Sequence, residues 1–299
     1  MAKLLTDPIS MNHIGEYLAD CSDFAFELKV LNKLVEMGFE CEHGGVYEDP
    51  VTKKAREFDI RGIKELGYRQ LRVSVECKNI RINYPLVAHC VKRTAKESFH
   101  NLLVSCVHSH SGNYIFKFGS NSSSSRVTII NSMYSEGEYV AKSVDQVGRT
   151  ANGIVSNDGS VFEKINQALH SAYDLISSAH YERTQDSERV SIILPTLVVP
   201  DDRLWIIKYE NDGSRICDPE LLDHITLFVG QSWRVGYENT KDPMFNDLAW
   251  YTLSHLEIIA ISSLPKVFNE YFDPEDDWSR GFTTESPREL LRGEDDVEG

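Results

Sequence analysis

The sequence predicts an α/β fold with a mixed central sheet flanked by helices, and three observations carry that reading. An amphipathic helix over Phe24–Met37 is followed by three short strands that end at Lys78. A long amphipathic segment, Ser160–His180, then precedes Val190–Val199, "VSIILPTLVV", an apolar run typical of a strand covered on both faces. The 299 residues, 41% of them hydrophobic, contain no internal repeat and no clean linker, and are enough for one large domain or two in close contact.

Residues 8–19 predict a short, weakly amphipathic helix. Ser22 or Asp23 caps the next one, and Gly38 ends it. Val30, Leu31 and Leu34 lie three, four and seven residues beyond Glu27, so this glutamate points toward the packed side of its own helix. A carboxylate rarely sits there without a partner. Phe39–Tyr47 is a first strand, interrupted at Gly44-Gly45. Ala55–Ile63, "AREFDIRGI", is a second, with Phe58 and Ile60 on one face and Glu57, Asp59 and Arg61 on the other. "KELGY" turns the chain into a third strand ending at Lys78, "LRVSVECK". Leu71, Val73, Val75 and Cys77 form its apolar side; Arg72, Ser74, Glu76 and Lys78 form the polar one.

Beyond Lys78 the pattern predicts a helix within Tyr84–Leu103 and short strands at Tyr114–Phe118 and Val127–Ile130, around a Ser-rich loop over 119–126. Residues 138–159 read as a helix start followed by a loop. After the long helix, Leu204–Tyr209 is expected to pair with Val190–Val199 across "PDDR". His224–Val229 is another strand, and Leu253–Phe272 combines a strand with a short helix. The domain reading is 1–210 for the main unit, with motifs in 20–80 and 81–158 as a candidate insertion; 211–272 as a C-terminal extension packed on it; and 273–299 as an acidic tail, mobile past Arg292.

The net charge of −15 argues against a general nucleic-acid binder. Its distribution does not: residues 50–100 hold twelve lysines and arginines against five acids, while the tail from Asp273 holds ten acids against three arginines. A local basic patch steers toward phosphates even on an acidic protein. No segment is apolar for the ~20 residues a membrane helix needs, and the N-terminus lacks the apolar run of a signal peptide. Six cysteines without CxxC spacing, several inside apolar patterns, suggest reduced thiols and a cytoplasmic protein.

The chemistry concentrates in the strands. Side chains at i and i+2 share a strand face, so Glu76 and Lys78 point the same way. If the second and third strands form a hairpin, Asp59 joins that face, with Cβ atoms about 4.5–5.5 Å from its cross-strand neighbour. Two carboxylates that close repel unless a cation lies between them, and Mg²⁺ suits hard oxygen ligands of this kind. Glu27 arrives from the preceding helix as a further ligand. Beside a divalent ion, Lys78 orients a water or stabilises charge on a phosphate. The competing reading is a half-buried ion-pair cluster in which Lys78 and Arg61 or Arg72 neutralise Asp59 and Glu76.

The order helix–strand–strand–strand with "FEL", "REFDI" and "VECK" resembles the PD-(D/E)xK nuclease superfamily, the restriction-endonuclease-like fold, over about residues 20–80. The resemblance implies that Asp59 is the family's aspartate, Glu76 and Lys78 its Glu-x-Lys, and Glu27 its helix glutamate. Asp59 follows Phe58 where the family often has proline. A further helix and strand are implied, supplied by Ser160–His180 and Val190–Val199, with Tyr84–Leu103 as the other candidate for the helix. Arg56, Arg81, Lys96 and Gln146 are candidates for nucleic-acid contacts, Lys96 or Gln146 on the helix after the motifs. The function implied is a metal-dependent endonuclease using Mg²⁺, with Mn²⁺ as substitute. DNA is the expected substrate before RNA, in defence against foreign DNA, with a homodimer or a defence-system protein as partner. The alternatives are an inert nuclease-fold nucleic-acid-binding subunit and an acidic protein-interaction module. "CVHSHS" around Cys106, His108 and His110, with Cys90, fits no trusted zinc spacing.

Overall fold

The computed structural model describes residues 6–20, 22–107, 122–156, 159–181, 188–233, 250–271, 281–282 and 285–292. The His108/His110 segment, the Tyr114–Phe118 strand, Trp278 and most of the acidic tail lie outside them. The chain runs α1 (Met11–Asp20), α2 (Phe24–Glu36), β1 (Glu40–His43), β2 (Val46–Glu48), β3 (Ala55–Glu57), β4 (Ile60–Leu66) and β5 (Arg69–Cys77). Then come β6 (Leu86–Lys92), β7 (Phe99–Val107), β8 (Ser122–Ile130), β9 (Tyr139–Thr150), β10 (Gly153–Ser156), α3 (Gly159–Tyr181) and β11 (Arg189–Val199). The chain closes with β12 (Leu204–Lys208), β13 (Glu220–Leu221), β14 (His224–Trp233), β15 (Tyr251–Ala260), α4 (Leu264–Tyr271) and α5 (Pro287–Arg292). No described helix is long and apolar enough to cross a membrane.

The protein is mixed α/β. Thirteen of the described strands join one sheet, in the order β1-β4-β5-β11-β15-β14-β9-β6-β12-β13, with β10 on β9 and the β7–β8 pair on β11; β2 and β3 form a ribbon of their own. The middle of the sheet follows from one crossover. β5 and β11 are parallel, from Val190 opposite Arg69 to Val198 opposite Cys77, and parallel neighbours need a crossing element between them. α3 is that element. Strand alternation then divides the interior into two cores. Leu71, Val73, Val75, Cys77, Leu194 and Val198 pack on one face with Phe26, Val30 and Leu34 of α2 and Val267 and Phe268 of α4. Ile193, Leu197 and Val199 pack on the other with Val161, Ile165, Ala168, Leu169 and Ala172 of α3. Val190–Val199 is buried at every position, as an apolar run without alternation predicts.

Three expectations fail, each for an identifiable reason. Tyr84–Leu103 is not a helix: it is β6, a 3₁₀ turn at Ala95–Glu97 and the start of β7. Leu86, Ala88 and Cys90 are all fully buried, a period of two. The segment 138–159 is mostly β9, whose Val140, Val144 and Val147 suit a strand. β12 pairs with β6 and β13 rather than β11, because β5 and β15 already occupy both edges of β11. The core helix is therefore α3, and β6–β10 stand between it and β5 in the chain. Before Arg292 the acidic tail is packed where it is described: Phe282 and Leu290 are buried in the α2 core, and His100 bonds the carbonyl of Gly281 at 2.9 Å.

His100 gives the fold a pH dependence. Burial pushes its imidazole down to about 4, and only the Gly281 contact opposes this. His255 is pushed lower still, to about 2, by burial first and then by the Arg93 charge. The unfolded chain binds these protons at pH values where the folded one excludes them, so this stability is complete above the unfolded value of 6.5 and is lost as pH falls toward 4. Urea midpoints will show that His100 alone accounts for a loss on the order of 2–3 kcal/mol between pH 7 and 4.5. His100→Gln, which keeps a donor for Gly281, will decline less steeply; an equal slope contradicts this account.

Candidate active site

β4 and β5 are antiparallel with Ile60 opposite Val75, so the positions just outside that pair, Asp59 and Glu76, face one another. Asp59 is not in the ladder itself: the second strand expected from sequence breaks into β3 and β4, and Asp59 sits in the bend between them. Its backbone N–H donates to Glu76 Oε1 at 3.4 Å, and the Cys77 N–H donates to Asp59 Oδ2 at 2.8 Å. Each carboxylate is thus fixed by the other strand's end. The bend depends on Gly45, where a Cβ would stand 2.3 Å from Cζ of Phe58, the residue before Asp59. The Arg61 guanidinium covers the Phe58 ring at 4.1 Å and is itself tied to Asp174 of α3 at 2.8 Å.

The cation between the two acids is Lys164 of α3. Its Nζ donates to Asp59 Oδ2 at 2.6 Å and to Glu76 Oε2 at 2.9 Å. Only 1% of the Glu76 side chain is exposed, against 14% for Asp59 and 17% for Lys164, so the pair opens to solvent on the Asp59 side. Burial pushes the Glu76 carboxyl up to about 8; the Asp59 charge adds to the rise and Lys164 opposes it. Burial alone would lower the Lys164 ammonium, yet the charges of Glu76 and Asp59 raise it. The Glu76 rise is led by burial and the Lys164 rise by the two acids, which share one ammonium between them.

Glu27 lies at the margin. It is half-buried, and its Oε2 is 3.4 Å from Nε2 of His43 on β1. Burial raises its carboxyl, and the Asp59 charge raises it further, which puts it in the same electrostatic group. Lys78 lies immediately after β5, but its Nζ bonds Oδ2 of Asp23 at 3.0 Å and takes no part in the Asp59–Glu76 bridge. Asp23 heads α2 without making a side-chain cap bond; its other oxygen accepts the Asn79 N–H at 2.8 Å. Asp23 therefore joins the start of α2 to the end of β5. Tyr47 closes the other flank, its hydroxyl 3.4 Å from the Gln167 carbonyl of α3.

Of the four residues predicted from sequence, Asp59 and Glu76 meet directly, Glu27 joins them electrostatically, and Lys78 stands apart with Asp23. The arginines of the competing ion-pair reading serve elsewhere, Arg61 on Asp174 and Arg72 on Gln70. The weaker candidates divide. Arg81 is exposed three residues past Lys78, and Arg56 is half-buried on β3, 3.7 Å from Asp49. Lys96 is exposed on the 3₁₀ turn rather than on a helix. Gln146 is a correction: it lies on β9, is 5% exposed, and donates to the Tyr84 carbonyl at 3.0 Å, so it is not a surface contact. Lys164 was missed, although a signal existed. It lies three residues after Val161 and four before Ala168, both fully buried, so helical spacing places an ammonium on the packed face.

The donor set fits a hard divalent cation in its chemistry: three carboxylates, two of them fixed opposite one another on a partly open side. Among the described residues, however, no three His, Cys, Asp or Glu side chains stand close enough to hold a metal as they are placed. Comparison of the chain with family models, with curated proteins and with solved structures finds no match.

The site's frame is testable without any assumption about activity. Gly45→Ala forces Phe58 to move and will cost about 1–3 kcal/mol, read as a lower urea midpoint. Adding Phe58→Leu will recover part of the loss, and a midpoint unaffected by Gly45→Ala contradicts the close packing described.

Proposed function

We propose that the protein is a metal-dependent endonuclease of the restriction-endonuclease-like type, acting on DNA in preference to RNA. The observation that carries this is the opposition of Asp59 and Glu76 at adjoining strand ends, with a cation between them and a second amine one residue pair farther along β5. The succession α2, β1, β4, β5, α3, β11 supports the fold part of the reading, since it matches what the sequence resemblance implies.

Asp59 and Glu76, with Glu27 at the edge, would hold Mg²⁺ or Mn²⁺. Such an ion polarises a phosphate oxygen and makes a bound water more acidic. The chain's own residues do the rest. Asp59 is held by the Cys77 N–H, which fixes one oxygen. Lys78, held in place by Asp23, supplies positive charge to the phosphate as negative charge grows on it. Half-buried Arg56 and exposed Arg81 lie within the basic stretch 50–100 and favour a polyanion over a neutral substrate.

One observation favours a second reading, an inert nuclease fold that binds nucleic acid: Lys164 already occupies the place between the carboxylates. The two readings part in a cleavage assay on plasmid and single-stranded DNA with Mg²⁺, Mn²⁺ or EDTA. The nuclease reading expects cutting that EDTA abolishes and that Asp59→Asn, Glu76→Gln and Lys78→Ala each reduce by roughly 100- to 1,000-fold. DNA retention without cutting assigns the chain to the inert class, and neither cutting nor retention rejects both.

A further inference from the structure

We propose that Lys164 is a resident counter-ion that keeps the carboxylate site closed to metal until a phosphate draws its ammonium away; this rests on the nuclease reading and adds to it a means of regulation. The Lys164 Nζ bonds both carboxylates, at 2.6 and 2.9 Å. A divalent cation seeking the same oxygens must replace it. Glu76 is otherwise closed off, with its side chain 1% exposed and its other oxygen accepting the Asp59 N–H at 3.4 Å.

Charge makes the exchange one-sided. With both carboxyls ionised, the ammonium leaves the pair one positive charge short, whereas a divalent ion would neutralise both. Removing Lys164 into water recovers its hydration but breaks two charge-assisted hydrogen bonds at once. A phosphodiester at the open side offers the displaced ammonium a new anion. Metal and phosphate therefore favour one another's binding through a single side chain, a coupling between two ligands that is reciprocal by necessity. Lys164 suits this role by its position. It sits in the first turns of α3, with 17% of its side chain exposed, so its flexible stem swings without any movement of the helix backbone. Lys78 is excluded from the part, since Asp23 holds it.

The full-length protein tests this by Mn²⁺ titration, followed by calorimetry and by the electron-spin resonance of free Mn²⁺. The wild type is expected to bind Mn²⁺ weakly alone and more tightly with a short phosphorothioate duplex. Lys164→Gln is expected to bind Mn²⁺ roughly ten-fold tighter without the duplex, to gain little when it is added, and to show a lower melting temperature in EDTA that Mn²⁺ restores. Equal or weaker Mn²⁺ binding by Lys164→Gln overturns the inference, and leaves the nuclease reading standing if Asp59→Asn abolishes that binding. Mn²⁺ binding by neither protein overturns both. In case the variant folds poorly, the wild type labelled with ¹⁵N-lysine gives an independent reading: an exchange-protected ammonium signal in EDTA is expected to persist with Mg²⁺ alone at low concentration and to be lost on adding Mg²⁺ together with the phosphorothioate duplex. A protected signal that persists with both present refutes the displacement.

Discussion

Two carboxylates on adjoining strand ends share one ammonium from the crossover helix, and the surrounding structure is arranged to make that tolerable. An isolated buried carboxylate is costly, and two face to face are worse. Lys164 offsets part of that cost, but only if α3 lies across β5 and β11 in one register. The helix is held there by Ala168, Leu169 and Ala172 packed on Ile193 and Leu197, and by Arg61 on Asp174 and Ser171. On the other flank, Asp23 ties the start of α2 to the exit of β5. The site is thus a junction where α2, β4, β5 and α3 are fastened together, and its geometry belongs to the sheet's connections rather than to any one segment.

A second buried glutamate shows which features set the site apart. Glu257 on β15 is fully buried and lies on the opposite face of the sheet from Glu76. It pairs with Thr196, which stands opposite Val75. Its Oε1 accepts from the hydroxyls of Tyr134 and Tyr271, at 2.8 and 2.7 Å, and its Oε2 contacts His224. Every lone-pair direction that matters has a donor, and those donors come from the β8–β9 connection, β14 and α4. Glu257 therefore works as a clasp between layers. Glu76, equally buried, has an amide and a shared ammonium, and faces a partly open side. The difference is one of satisfaction, not burial, and it is what sets Glu76 apart from Glu257.

Local chemistry explains what was legible in the sequence. The alternation in β5 is strict enough to fix which side each residue takes, and Glu27 stands out because helical spacing puts it among apolar neighbours. Those readings need only short-range geometry. What failed needed partners. In "VAHCVKRTAKESFHNLL", Ala, Lys and Leu suit a helix, while burial of Leu86, Ala88 and Cys90 follows from strands β9 and β12, which flank β6 from far along the chain. Tertiary pairing overrides propensity here. Likewise β12 looked like a partner for β11 because they are neighbours in sequence, and only the arrival of β15, some fifty residues later, excludes it.

Lys164 lies between these cases, and it bears on how such a site is read. The lysine two residues beyond Glu76 is conspicuous because it is close in sequence, yet its ammonium bonds Asp23 rather than the two carboxylates. The lysine that touches both carboxylates is 88 residues from Glu76 and 105 from Asp59, separated from them by strands β6–β10. Those strands leave the site intact because they enter and leave between β5 and α3, and α3 still has to cross back over β5 to deliver β11 parallel to it. A crossover helix must place its packed face on that strand, so any residue at Val161+3 or Ala168−4 falls near the strand's polar end. Topology therefore fixes the meeting of Lys164 with Glu76, whatever the length of chain inserted between them.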